Sequence, residues 1–295
     1  MKQLLIAITL SLFFIHMALA GMQTDKEREG LVGPVQSIRV EFAKFSRESG
    51  KWLEGPRNPL LTTVCDERGN WLEKTNYGSD GSIIGKFKWS YTYDAEGNIT
   101  QRVSSIEGPP TISSKVIYTY DSKRNIIEEV SYTNGKPADT KIVYTYDAKG
   151  NIIQKGQYYN DGSLAGTKVI NSYDAKGNVT EEASYTADGS LLKKWIYGYD
   201  VKGDKTEAVN YKNDGIILSK QIYKYDTKGN RIETVYNADT SPSSKETASY
   251  DYDSMGNWTK ETTKKITFDK SGKEQLESLD AIYQTITYYP TSKAP

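Results

Sequence analysis

The chain has 295 residues, and its 38 basic and 38 acidic side chains leave a formal net charge of zero. That balance argues against nucleic acid or an anionic membrane surface as the main partner, since both demand a concentrated excess of Lys and Arg. The lone histidine, His16, sits in the N-terminal hydrophobic stretch. The rest of the chain therefore has no imidazole for acid/base catalysis, for Ser-His or Cys-His pairs, or for most zinc sites.

Met1 to Ala20 reads as a secretory signal peptide: Lys2 is the charged start, Leu4 to Phe14 the apolar run and Ala18-Leu19-Ala20 the cleavage site. The apolar run is short for a membrane span. The expectation is an exported protein, periplasmic, cell-surface or secreted, with no transmembrane segment once the leader is removed. Gly21 to Gly33 is polar and reads as a flexible lead-in. Residues 34–289 read as a single β-repeat domain and 290–295 as a tail. Within that domain Val35 to Phe45 alternates as a strand with Ile38, Val40 and Phe42 on one face. Ser46 to Leu60, with Gly55-Pro56 and Pro59, reads as a long loop. Cys65 stands where later copies carry Tyr and is expected to be a small buried residue.

From Leu61 to Trp258 the pattern Asp-x-x-Gly-Asn recurs. Its Asp positions are 66, 94, 121, 147, 174, 200, 226 and 253, with degenerate copies at Asp121 to Asn125 and Asp200 to Asp204. The steps of 26 to 28 residues mark a repeat architecture. Asp at the first position and Gly at the fourth suit a type I turn closed by a left-handed residue, the geometry of a hairpin with a G1 bulge. A Tyr-x-Tyr strand precedes most copies, and an apolar residue such as Ile99, Ile126, Ile152 or Val179 comes after the turn. In the simplest register Tyr93 faces Ile99 and Tyr91 faces Gln101. A second turn falls half a period later, as in Asn160-Asp161-Gly162 and Asn213-Asp214-Gly215. Each repeat of about 26–27 residues is then two antiparallel strands. The fold expected is all-β: an antiparallel up-and-down meander of tandem two-stranded repeats forming a curled or spiralling sheet.

The many turn aspartates invite a calcium reading, but each copy offers one carboxylate and one amide, usually with a cation beside them, against the six to eight oxygens calcium takes. Paired acids such as Glu128/Glu129 are strand neighbours and point to opposite faces. No catalytic centre, metal site or cofactor is expected. The candidate binding feature is an aromatic face formed by Tyr93, Tyr120, Tyr146, Tyr173, Tyr199, Tyr225 and Tyr252, since aromatic faces stack on sugar rings and a regular array suits a polymer.

The string Tyr144-Thr145-Tyr146-Asp147-Ala148-Lys149-Gly150-Asn151, with Asp-Gly about a dozen residues before such strings, resembles the RHS/YD repeat of bacterial surface and toxin proteins, across residues 61–258. The resemblance implies long antiparallel sheets able to wind into a shell, and in some members carbohydrate binding. The leading expectation is an exported, non-enzymatic scaffold binding glycan or a protein partner. A shell or spacer component of an RHS-type toxin or secretion-associated assembly comes second and an outer-membrane β-barrel third; charge on both strand faces weighs against the last.

Overall fold

The computed structural model describes residues 23–108, 112–238, 241–269 and 271–290. The expected signal peptide, residues 109–111 of the repeat region and the end of the tail lie outside them. Among the described residues a short helix α1 (Asp25–Arg28) precedes nineteen strands. Non-repeating chain supplies β1 (Val35–Glu48), β2 (Lys51–Glu54) and β3 (Asn58–Cys65). The repeats run through β4 (Trp71–Tyr77), β5 (Ile83–Tyr93), β6 (Ile99–Ile106), β7 (Ile112–Tyr120), β8 (Ile126–Thr133), β9 (Lys136–Tyr146), β10 (Ile152–Tyr159) and β11 (Leu164–Tyr173). They continue as β12 (Val179–Tyr185), β13 (Leu191–Tyr199), β14 (Lys205–Lys212), β15 (Ile217–Tyr225), β16 (Arg231–Ala238) and β17 (Ser241–Tyr252), and the wall ends with β18 (Trp258–Phe268) and β19 (Glu274–Tyr288).

From β3 to β19 each strand pairs antiparallel with its sequence neighbours. β1 pairs with β3 on one side and with β19 on the other. Leaving out β2, which pairs with β1 alone, eighteen strands make a closed barrel. The expected antiparallel meander is present, but in place of a curled or spiralling sheet it closes on itself. Its two ends are complementary, with Val35 to Lys44 matching Asp280 to Tyr288, and closure satisfies both rows of edge donors and acceptors.

The repeat turns explain the strands. In the copy at Asp94, the Asp94 N–H donates to the Asn98 carbonyl at 3.0 Å and the Gly97 N–H donates back to the Asp94 carbonyl at 3.2 Å. Asp94 Oδ1 accepts the Asn98 N–H at 2.7 Å, and Asn98 Nδ2 donates to Asp94 Oδ2 at 2.8 Å. Gly150 and Gly177 have φ of +88° and +89°, the left-handed geometry the spacing requires. In the degenerate copy Arg124 adopts φ +69° instead. All the Asp-x-x-Gly-Asn turns stand on one rim, and the half-period turns form the other.

A bulge after each turn changes the register. Tyr93 faces Ile99 as expected, but Thr92 faces Gln101 and Tyr91 faces Arg102. The same shift recurs at Tyr120, Tyr173, Tyr199, Tyr225 and Tyr252. Two residues oppose one at each bulge, so every side chain beyond it trades faces relative to a plain ladder.

We assign the Tyr-bearing face to the inside of the barrel, because its side chains are half-buried while alternate positions on the other face, such as Ile196, Ile222 and Lys224, are exposed. Chain preceding β1 docks on the Tyr-bearing face, where Asp25 accepts from Tyr91. Eighteen-stranded barrels leave a water-filled lumen. Consistent with a wall and no packed centre, the largest fully buried side chains are Val35 and Cys65. The apolar clusters lie at the closing seam: Leu31, Val35, Ile38, Val40 and Cys65 form one, and Ala43, Ala281 and Tyr283 another.

Two segments differ from expectation. Ser46 to Leu60 is not one long loop: β1 runs to Glu48, turns at Ser49-Gly50 and returns as β2. This hairpin covers the outer side of β19, where Tyr283 donates to Glu54 and the Arg57 guanidinium lies 3.5 Å from the Tyr283 ring centre. The lead-in is pinned where it is described. Thr24 caps α1 through a capping box, and the Lys26 N–H donates to the Gly69 carbonyl at 2.8 Å. Buried Asp25 accepts from the Trp71 N–H at 2.8 Å and the Tyr91 hydroxyl at 2.9 Å, and it pairs with Arg28. At the far end Asn257 grips Val32 twice, accepting its N–H at 2.7 Å and donating to its carbonyl at 2.9 Å. The lead-in is thus a strap tied to turns on both sides of the seam.

Candidate binding lumen

The seven candidate tyrosines share the inner face next to the Asp-x-x-Gly-Asn rim and form a half-buried collar. Six of the seven hydroxyls, all but that of Tyr225, are engaged among the described residues. Tyr120 donates to the Ile99 carbonyl at 2.7 Å, Tyr146 to Ile126 at 2.6 Å, Tyr173 to Ile152 at 2.7 Å and Tyr199 to Val179 at 2.8 Å. Each bond reaches back to the preceding repeat. Toward the seam the partner changes: Tyr93 accepts from Asn70 at 2.9 Å, and Tyr252 donates to Asp226 at 3.1 Å. Tyr288 continues the series onto Asp253 and Asn257, and Tyr289 donates to the Cys65 carbonyl at 2.7 Å, which carries the ties around the closure. A tyrosine whose tip bonds the wall lies along the wall, so one ring face is left toward the lumen. Burial pushes the Tyr146 and Tyr199 hydroxyls up to about 12, so they stay protonated donors. The collar's ends are capped: Arg68 lies 4.1 Å from the Tyr93 ring centre and Lys228 3.5 Å from that of Tyr252.

Two residues further along the strands, Tyr91, Tyr118, Tyr144, Tyr197, Tyr223 and Tyr250 make a second aromatic ring, with Asn171 in the remaining copy. The bulge register sets polar groups opposite them: Arg102, Glu129, Glu182 and Lys155 among others. Tyr144 donates to Glu129 at 2.7 Å, and Lys155 lies 5.2 Å from the Tyr144 ring centre. Tyr250 donates to Glu261 at 3.3 Å, and burial raises the Glu261 carboxyl above its ordinary range. Lys205 sits 3.8 Å from the Tyr197 ring centre, where burial lowers its ammonium pKa. Higher still, Trp195 stacks on Tyr197 at 6.3 Å and Phe87 on Trp89 at 6.1 Å. The inner wall is aromatic and polar together, a surface suited to a hydroxyl-rich ligand.

The charged ring was missed by the plain register, which placed Gln101 and Glu128 inside. Its signal was present: Arg102, Glu129, Lys155 and Glu182 stand four residues after the turn Asn in consecutive copies. A second charged set is periodic as well. Lys88, Lys115, Lys141, Lys168, Lys194 and Lys220 each precede the collar Tyr by five residues and lie mid-strand on the outer face. Lys141 pairs with Glu128 at 2.8 Å, Lys194 with Glu181 at 3.6 Å and Lys220 with Glu207 at 2.7 Å.

The turn aspartates are occupied by turn chemistry. Asp147 Oδ1 accepts the Lys149 and Asn151 N–H groups at 2.9 Å, and Oδ2 accepts from Asn151 Nδ2 at 2.8 Å. Among the described residues no group of three or more potential metal-ligating side chains converges. Cys65 is buried at a collar position, and burial pushes its thiol up to about 12.

No protein-family model matches the chain, and no curated protein sequence matches it. The RHS/YD resemblance therefore rests on the turn motif. Among solved structures, the chain is similar to a porin-like protein from Bacteroides uniformis with a TM-score of 0.43 and 13% identity, over 87% of this chain and 98% of that one. It is also similar to a chain of the TcdB2-TccC3-Cdc42 complex, with a TM-score of 0.25 and 12% identity, over 84% of this chain and 19% of that one. The chain is a large antiparallel β-barrel with a porin-like protein among its structural neighbours. Likeness at these scores leaves its role to its own residues.

Proposed function

We propose that this chain is an exported, non-enzymatic hollow barrel that binds a glycan along its tyrosine-paved inner wall. The observation that carries the reading is the pinning of Tyr120, Tyr146, Tyr173 and Tyr199 against the wall, which aims a run of ring faces at the lumen. Rigid aromatic surface costs little ordering entropy when a ligand stacks on it. The outer face supports a barrel standing in water. A Lys at the bilayer midplane costs about 2–4 kcal/mol, and the mid-strand lysines recur in six consecutive repeats, several of them ion-paired. Exposed Ile84, Leu192, Ile196, Leu218 and Ile222 on that outer face favour a second reading, an outer-membrane barrel.

Residues 21–295, produced without the leader, separate these readings. The glycan reading expects a monodisperse protein without detergent that binds members of an oligosaccharide panel. Tyr146→Phe should keep binding, because the ring face remains. Tyr146→Ala should weaken it by about tenfold. Both variants lose the bond to the Ile126 carbonyl, so stability falls in both, and a loss of binding in Ala alone isolates the ring. Insolubility without detergent would support the membrane barrel, and a soluble barrel that binds no oligosaccharide would support a structural spacer.

A further inference from the structure

Among the described residues the half-buried cations of the inner wall are answered, with one exception. Lys74 lies 5.2 Å from the Trp71 ring centre, Lys155 and Lys205 sit over tyrosines, and Arg231 is 5.5 Å from the Tyr223 ring centre. Lys265 pairs with Glu246 at 3.2 Å. Half-buried Arg102 has no ion pair, hydrogen bond or ring contact among the described residues. It faces Tyr91 on β5 and Val116 on β7, with Tyr118 two residues further along the same inner face.

The neighbouring acids hold other partners. Asp25 holds Arg28, Tyr91 and the Trp71 N–H, and Glu129 takes the Tyr144 hydroxyl. Tyr118 is buried to 7% exposure, yet its hydroxyl bonds no protein atom among the described residues. A guanidinium drawn partly out of water without a counter-ion raises the free energy of the empty barrel. An incoming anion reverses that penalty, and the planar fork of Arg matches a carboxylate with two parallel hydrogen bonds.

We propose that Arg102, with the Tyr118 hydroxyl beside it, receives the carboxylate of a uronic-acid unit in a glycan lying along the inner wall. This rests on the glycan reading above and narrows it to acidic saccharides. Arg102 supplies the charge that distinguishes acid from neutral sugar, and Tyr118 a hydroxyl donor. The collar rings one position closer to the rim, Tyr120 and Tyr146, give adjoining sugar units a face to stack on.

The test is calorimetric titration of residues 21–295 and of R102Q with hexagalacturonate and with its fully methyl-esterified form, which differ in the carboxylate alone. The wild-type barrel should bind the acid at least about tenfold more tightly than the ester. R102Q should bind the two alike. R102Q should also melt no lower than wild type, because the fold gives that charge no partner. Retained preference for the acid in R102Q overturns the proposal. So does equal wild-type affinity for acid and ester, an outcome that leaves the glycan reading standing. If neither hexamer nor any neutral oligosaccharide binds, the glycan reading falls and this inference with it.

Discussion

Replacing Asn257 with Ala tests whether the strap and seam hold the barrel shut. The side chain is 3% exposed and makes three bonds that no mid-wall copy makes. It accepts the Val32 N–H at 2.7 Å, donates to the Val32 carbonyl at 2.9 Å and donates to the Tyr288 hydroxyl at 2.7 Å. At about 1 kcal/mol for each lost bond, the substitution should cost about 3 kcal/mol. Asn151 in the repeats is the control. Its side chain bonds Asp147 of its own turn at 2.8 Å, so Asn151→Ala should cost about 1 kcal/mol. Both variants keep the backbone bonds of their turns. Urea unfolding followed by tryptophan fluorescence reads the difference, because Trp71 packs against the seam cluster. Equal costs for the two substitutions, within about 0.5 kcal/mol, would refute the view that the seam carries more than its share of stability.

Arg124→Gly should stabilise the chain by about 1 kcal/mol, since Arg124 holds a left-handed φ of +69° that glycine adopts without strain; a lowered melting temperature would count against it. Gly150→Val, at φ +88°, should cost about 1–2 kcal/mol for the same reason, and an unchanged melt would mean the turn tolerates a side chain there. Acid should loosen the repeats. Hydrogen bonds from the Asn side chains hold Asp94, Asp121, Asp147 and Asp174 below their ordinary carboxylate range. Their stabilisation is therefore complete above about pH 4 and is lost as pH falls through the depressed folded values. A melting temperature already declining between pH 7 and pH 5 would contradict it. With its thiol buried and pushed up to about 12, Cys65 should react with a thiol reagent only on unfolding, and rapid labelling of the native barrel at pH 8 would show that the seam opens.

What could be read from sequence was local. Asp, Gly and Asn at fixed offsets determine each turn, and alternation from Tyr93 outward assigns the collar to one face. Closure escaped that reasoning because it depends on Val35 to Lys44 meeting Asp280 to Tyr288 across almost the whole chain, with no repeat to announce it. The bulge escaped it too. Thr100 is an ordinary strand residue, and the extra backbone unit shows itself in which later residue, Gln101 or Arg102, turns inward. The strap was hidden by composition, since Thr24 to Glu29 is strongly charged and its order comes from distant partners at Gly69, Tyr91 and Asn257. The β1–β2 hairpin left a trace in Ser49-Gly50, but the Pro and Gly residues just after it made the whole stretch resemble a loop.

Because collar tyrosines such as Tyr120, Tyr146, Tyr173 and Tyr199 tie their repeats to the one before, the wall behaves as a chain of like staves with one fixed clasp. Removing or inserting a stave leaves the clasp untouched. One repeat contributes two strands, which at barrel tilts near 40° is about 12 Å of circumference or about 4 Å of diameter. The bore of such a barrel is therefore graded in discrete steps set by copy number, so duplication within the gene could widen the lumen without redesigning a single contact at the seam.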